Sequence, residues 1–262
     1  MDRGLLEIGR VRPLALDARA PIGRTVVPAA DDAIAYRRNP ELRWVYHKPL
    51  LYDALGVPHG LFPDLPKAYP AIMKPIVNLY GLSRGVRLAH GPDDIAQCPE
   101  RFWMPRLAGR HVSVDIEICA DALLHGEAVE GISYQLGLFD YWERLESADP
   151  WASWAHRIAR TLGITGGALN VEFIGNTAIE VHLRRSDEFT VLFAEGLRYA
   201  KPLISPRCLP MTDETLASRL GGRRFKSCVS GDDRPEMTAP GWYRYGLAYG
   251  DSLSELQQLK VV

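Results

Sequence analysis

The segment ITGGALNVEFIGNTAIEVHLR, residues 164–184, decides how the chain is read. Two aliphatic runs, ALNVEFI and AIEVHLR, flank Gly175-Asn176-Thr177, and both glycine and asparagine accept the positive φ that a tight hairpin turn needs. Register then decides the chemistry, because a one-residue slip turns every side chain to the other face of the sheet. A two-residue turn sets Glu172 against Ile179 and parts the two glutamates. A three-residue Gly-Asn-Thr loop pairs Glu172 with Glu180 and Asn170 with His182, and leaves Arg184 farther along the same face. Carboxylates opposed at about 5 Å repel each other, so the second register calls for a cation. Magnesium fits, since one or two carboxylates commonly hold it while phosphate and water oxygens complete the octahedron. The plainer reading is a solvated hairpin on which Arg184 neutralises one glutamate.

Outward from this hairpin, HVSVDIEIC (111–119) alternates strictly, with Val112, Val114, Ile116 and Ile118 on one face and His111, Ser113, Asp115 and Glu117 on the other. YPAIMKPIV (69–77) reads as a buried strand, and Lys74 inside it needs a partner because an unpaired buried ammonium is costly. Gly81, Ser83 and Gly85 follow in a turn whose backbone N–H groups suit an anion, so lysine and turn together suggest a phosphate cradle. The alternative is an edge-strand lysine that snorkels beside an ordinary turn. VRLA (86–89) is the returning strand.

Helices are expected over Asp31–Arg38, closed by Asn39-Pro40, and over Pro49–Leu55, closed by Gly56. A longer one follows Asp149 as cap and Pro150 as first residue, with Trp151, Trp154, Ala155, Ile158 and Leu162 at helical spacing before Gly163. From about residue 201 the chain turns rich in Pro, Gly, Arg and Ser and is expected to be a loosely structured extension. Strands mixed with few helices indicate an α+β architecture on antiparallel sheets.

Two further motifs are chance matches. Gly81-Leu82-Ser83-Arg84-Gly85 spells the G-x-S-x-G elbow of serine hydrolases, but His90-Gly91-Pro92 after the returning strand leaves no room for the helix which that chemistry needs. GGRRFKS (221–227) carries Phe225 where a P-loop demands glycine.

Composition narrows the partners. Among 262 residues, 31 Lys+Arg balance 32 Asp+Glu, so there is no basic excess of the kind that nucleic-acid binding leaves. No apolar run approaches the roughly 18 residues of a membrane span. The opening MDRGLLEIGRVR lacks a signal-peptide core, and a cytoplasmic location is expected. Cys98, Cys119, Cys208 and Cys228 form no CxxC pair and are expected to be reduced.

Taken in order over residues 45–195, these pieces resemble the ATP-grasp superfamily of ATP-dependent ligases. HKPLLYDALGVPHG is similar to that family's lysine-started helix, and YPAIMKPIVNLYGLSRGV to its phosphate-lysine strand and glycine-rich loop. FWMPRLAGRHVSVDIEI resembles the interdomain hinge and the strand after it, and ITGGALNVEFIGNTAIEVHLR the two metal-binding strands. The resemblance implies an ATP-grasp fold in which two α+β subdomains with antiparallel sheets clasp a nucleotide. Its parts would be a short N-terminal segment (1–45), a small lid subdomain (46–103), a large subdomain with the metal site (104–200) and the extension (201–262).

It further implies that Lys48 and Lys74 contact ATP phosphates beneath the loop of Gly81, Ser83 and Gly85, and that adenine meets the hinge between Met104 and Leu107. Glu172, Glu180 and His182 would hold magnesium, or manganese, and Arg184 would stabilise the reacting phosphoryl or acyl-phosphate group, with Lys74 as the second catalytic cation. Two positions depart from the usual pattern: His111 replaces a ribose-binding glutamate and His182 a metal-ligating asparagine. Imidazole prefers softer ions than magnesium. The implied activity is ATP-dependent joining of a small-molecule or peptide carboxylate to an amine or thiol. A small-molecule kinase, an inactive nucleotide-binding scaffold and, last, a serine hydrolase through Ser83 are the alternatives. With only some 45 residues before Lys48, part of the acceptor site is expected to come from the extension, a second subunit or a partner protein.

Overall fold

The computed structural model describes residues 23–79, 85–135, 138–228, 236–239 and 242–259; Gly81 and Ser83 lie outside them. The described chain opens with strand β1 (Arg24–Thr25), helix α1 (Asp32–Arg38), a 3-10 turn (Arg43–Tyr46) and helix α2 (Lys48–Leu55). Strands β2 (Gly60–Leu61), β3 (Ala71–Pro75), β4 (Arg87–Ala89) and β5 (Arg101–Pro105) then form a small antiparallel sheet in the order β2-β5-β3-β4, with helix α3 (Pro92–Ala96) between the last two in sequence. This short helix corrects the expectation that none fits after the returning strand: Pro92 sits in its first turn, where a missing N–H costs nothing.

The larger sheet is built from β6 (His111–Cys119), β7 (Ala122–Gln135), β8 (Leu138–Arg144), β9 (Ile164–Ile174), β10 (Thr177–His182), β11 (Tyr199–Ser205), β12 (Phe225–Ser227), β13 (Glu236–Ala239) and β14 (Trp242–Gly250). Helices α4 (Trp151–Thr161), α5 (Thr190–Ala194) and α6 (Asp213–Arg219) interrupt it in sequence, and α7 (Leu253–Gln257) follows its last strand. Its main path among the described residues is β1-β9-β6-β7-β8-β11-β14-β12, with β10 also on β9 and β13 on β14. The described strands beyond residue 201 thus continue the sheet. Leu203, Tyr245, Ala248, Leu216, Leu220 and Leu256 form a core there, which corrects the reading of this region as loose. Pro202 lies within β11 and Gly246 and Gly250 within β14, where tertiary packing holds them.

The alternation in β6 has the expected consequence. Val112, Val114, Ile116 and Ile118 join Leu169, Val171 and Phe173 of β9 in a core that also takes Ala152, Ala155 and Ala159 of α4. Burial of each larger side chain there stabilises the fold by roughly 1.5–3 kcal/mol. Helix α4 approaches closely because Gly126 has no side chain: a Cβ there would lie 2.6 Å from that of Ala152. Asp149 does not cap this helix. Pro150 occupies the cap position without a side-chain bond, and Asp149 Oδ1 accepts from Ser153 Oγ at 2.9 Å instead. The opposite face of the sheet keeps Ser113, Asp115, Asn170 and Glu172.

The hairpin reaches its register by a third route. Thr177 pairs with Ile174 and Ala178 with Phe173, so the turn itself is the two residues Gly175 and Asn176. The register then shifts, and Glu180 pairs with Glu172 and His182 with Asn170. Ile179 is the extra residue of a β-bulge; its side chain is buried in the core and its carbonyl accepts from Tyr52 Oη at 3.1 Å. This bulge brings the two glutamates opposite each other. No helix among the described residues is long and apolar enough to cross a membrane.

Candidate functional site

Five elements bring charged side chains together on the polar face: α1 with Asp32, α2 with Lys48, β3 with Lys74, β9 with Glu172, and β10 with Glu180 and His182. Helix α2 begins where it does because His47 Nδ1 accepts from the Leu50 N–H, Pro49 occupies the first turn and Gly56 closes the helix at φ 66°. Its first residue, Lys48, turns inward and is buried. The Lys48 N–H donates to Ile76 O at 2.9 Å, which ties the helix start to the end of β3 and sets the two lysines side by side.

Glu180 is the centre of the cluster. Lys48 Nζ lies 2.9 Å from its Oε2 and Lys74 Nζ 3.4 Å from its Oε1. His182 Nε2 lies 3.5 Å from Glu180 and 3.8 Å from Glu172. His111 Nε2 approaches Glu172 Oε2 at 3.2 Å, with its ring edge-on to Phe139 at 4.8 Å. Burial alone would raise both glutamates. The hydrogen bond with His111 and the close approach of His182 outweigh it and hold Glu172 at about 2. For Glu180 burial is likewise outweighed, by the charges of Lys48 and Lys74, and its carboxyl sits well below the usual range.

A buried acid that the sequence did not single out completes the site. Asp32, 3% exposed, accepts from Arg184 Nε at 2.8 Å and Nη2 at 2.9 Å, from His182 Nδ1 at 3.0 Å and from Tyr46 Oη at 3.1 Å. Against the upward push of burial, the charges and hydrogen bonds of His182 and Arg184 hold its carboxyl well below the ordinary value. Burial pushes His182 down in turn, but its carboxylate partners, Asp32 foremost, carry it well above an ordinary imidazole. With Nδ1 donating to Asp32, Nε2 is the atom that faces the two glutamates.

Of the residues singled out in the sequence, Lys48, Lys74, His111, Glu172, Glu180 and His182 therefore converge. Arg184 joins only through Asp32, and its Nη1 donates to the Arg185 carbonyl. The side chain of Met104 is buried, with Sδ 3.1 Å from Tyr52 Oη, while Leu107 is half-buried at the margin of the core. Gly85 adopts φ 75°, and a Cβ there would come within 2.9 Å of Arg101 Nη1. Asp32 looks, in sequence, like any acidic residue in a helix's first turn, where the dipole favours it. Its charged partners, His182 and Arg184, lie some 150 residues away.

The donor set fits a divalent cation. One ligand atom each from Glu172, Glu180 and His182 lie within 4.8 Å of one another, and an imidazole whose other nitrogen is held by a carboxylate is the usual setting of a metal-bound histidine. The two ammonium charges now on Glu180 equal the charge of such an ion.

No protein-family model and no curated protein matches the chain. Solved structures do. The L-amino acid ligase from Bacillus licheniformis superposes with a TM-score of 0.59 at 12% identity, over 82% of this chain and 69% of that one. Carboxyaminoimidazole ribonucleotide synthase from Aspergillus clavatus, solved with ATP, gives 0.62 at 13% identity over 89% and 79%. N5-carboxyaminoimidazole ribonucleotide synthetase from Thermus thermophilus gives 0.55 at 15% identity over 87% and 79%. The mixed α+β architecture and its antiparallel sheets are thus those of the ATP-grasp fold.

Proposed function

We propose that this chain, built on the ATP-grasp fold, is an ATP- and divalent-metal-dependent ligase that activates a carboxylate as an acyl phosphate for attack by an amine or thiol. The observation that carries the reading is the paired Glu172 and Glu180 carboxylates, clamped by Lys48, Lys74 and His182. The similar structures that are named as ligases or synthetases, one of them solved with ATP, support it at the level of fold.

Glu172 and Glu180, with His182 Nε2 beside them, would hold magnesium or manganese. Such an ion, when bound, supplies positive charge to phosphate oxygens. Two opposed carboxylates without compensation are unfavourable, and in the resting site the lysines and His182 provide that compensation. Lys48 and Lys74, which lie against Glu180, would offset the charge of a triphosphate placed beside them. Positioning and preorganised charge of this kind are the protein's main contribution to phosphoryl transfer. Asp32 keeps the His182 ring and the Arg184 guanidinium in fixed orientations, so neither group reorganises during turnover. The hinge between Met104 and Leu107, where β5 leaves the small sheet, is the place for adenine, and His111 the place for ribose.

The test is ADP release with ATP, magnesium and paired carboxylate and amine candidates, read together with mass spectrometry of the products. A ligated product is expected, and Glu180→Gln should lower turnover by about 10²–10³. Wild-type ATP hydrolysis in that variant would overturn the assignment; a stable phosphorylated product would make the chain a kinase.

A further inference from the structure

A second pocket lies on the same face of the large sheet, away from the carboxylate pair. Asp115 of β6 faces Glu127 of β7 across the ladder, and the next pair on that face is Glu117 with His125. Asp115, Glu127 and His125, with Arg185, which follows β10, and Thr190, Phe193 and Ala194 of α5, line a cavity of about 310 Å³. This is the low end of the volumes that hold small ligands.

Asp115 gives the cavity its chemistry. The residue is 3% exposed, and both of its hydrogen bonds fall on one oxygen: Oδ1 accepts from Asn170 Nδ2 at 2.9 Å and from the Ser186 N–H at 2.8 Å. Oδ2 has no hydrogen-bond partner among the described residues. That oxygen is not one of the fully buried atoms left without a partner; it is open to the cavity that Asp115 lines, and burial of the group raises it to about 6 in spite of the two bonds on Oδ1. The other cavity walls sort by character. Arg185 and His125 both reach Glu127 and remain largely exposed at the mouth, while Phe193 and Ala194 supply an apolar side.

We propose that this cavity binds a small amino acid, its amino group donating to Asp115 Oδ2 and its carboxylate meeting Arg185 and His125 at the mouth. The inference rests on the ligase reading above and names the class of its amine substrate. Position supports it: Asp115 lies two residues along β6 from Ser113, which pairs with Glu172, about 7 Å at the rise of a strand. An amine held there is one side chain's length from the centre where a carboxylate would be activated.

The experiment is calorimetric titration of the full chain with the common L-amino acids, each also as its N-acetyl derivative, alongside a titration with magnesium and ATP. At least one free amino acid should bind at millimolar concentration or below, and N-acetylation should weaken it at least tenfold. Asp115→Asn should do the same, because Asn170 and the Ser186 N–H both demand an acceptor and so turn the new amide N–H₂ toward the cavity. Ala194→Trp fills the cavity from the exposed end of α5 and should abolish amino-acid binding while magnesium–ATP binding stays within twofold. Binding of no amino acid, or binding indifferent to N-acetylation and to both variants, would overturn the proposal. Loss of magnesium–ATP binding in the wild-type chain would instead overturn the nucleotide reading on which it rests.

Discussion

Glu172 and Asp115 stand on one face of one sheet, on adjacent strands a single residue pair apart, and their surroundings drive the two carboxyl groups in opposite directions. Both are desolvated, which by itself raises a carboxyl's pKa. At Glu172, His111 lies at 3.2 Å and His182 at 3.8 Å, and the group falls to about 2. At Asp115 only a side-chain amide and a backbone N–H donate, and the group rises to about 6. Burial is common to both; what differs is cationic partners. The first region is arranged around charge that must stay ionised. The second is arranged around a carboxyl that still lacks one donor.

The contrast can be broken hardest at the acid which anchors the first region. Asp32→Ala leaves Arg184 without its counter-ion and His182 without its nearest one, and removal of one partner from a buried pair costs about 3–5 kcal/mol. Chemical denaturation should show a loss of that size; a loss below about 1 kcal/mol would mean that Asp32 does not organise the site. Next in size, Lys74→Ala should lower ATP turnover by about 10²–10³ with little change in stability, since Lys74 lies at the edge of the cluster and Lys48 still compensates Glu180.

A smaller effect sharpens the comparison through pH. The folded-state pKa of Asp115 is raised from 3.8 to about 6, so the native state holds a proton that the unfolded chain has lost. Its contribution is fully present below about pH 4 and is lost as pH rises to about 6, by roughly 3 kcal/mol at 1.36 kcal/mol per unit. Stability of the wild type relative to Asp115→Asn should therefore fall across that interval and level off above it. Glu172 has the opposite sign: its contribution is present above its unfolded value of 4.5 and is lost as pH falls toward 2. Relative to Glu172→Gln, wild-type stability should fall on acidification. Identical pH slopes for the two variants would contradict the assignment of cause.

The smallest effect concerns the turn. Gly175 has φ 61°, and a Cβ there would meet Ala108 O at 3.2 Å. Gly175→Ala should cost about 1 kcal/mol and, by disturbing the hairpin, weaken metal binding at Glu180 as well.

Much of this was readable in the sequence where pattern is local. The alternation of β6 and the helix expected over Pro49–Leu55, which begins one residue earlier, follow from residues near one another, as does the pairing of Glu172 with Glu180, one of the two registers the hairpin left open. Even there the reason differed, because the pairing comes from a bulge at Ile179, which no turn rule contains. Asp32 was hidden because its role depends on charged partners about 150 residues distant. Beyond residue 201, proline and glycine spacing suggested loose chain, yet β11, β12 and β14 extend the sheet, where tertiary contacts override local preference. Asp115 was placed correctly on the polar face of β6, but its cavity depends on α5, which nothing near Asp115 announces.

The central claim is that Glu172 and Glu180 grip a divalent ion which brings a triphosphate to Lys48 and Lys74. Electron paramagnetic resonance of manganese, titrated into the protein with and without ATP, measures it directly. One tightly bound ion per chain in the presence of ATP, weakened at least tenfold in Glu172→Gln and Glu180→Gln alike, is the result predicted. Equal manganese–ATP affinity in the wild type and both variants would contradict the account.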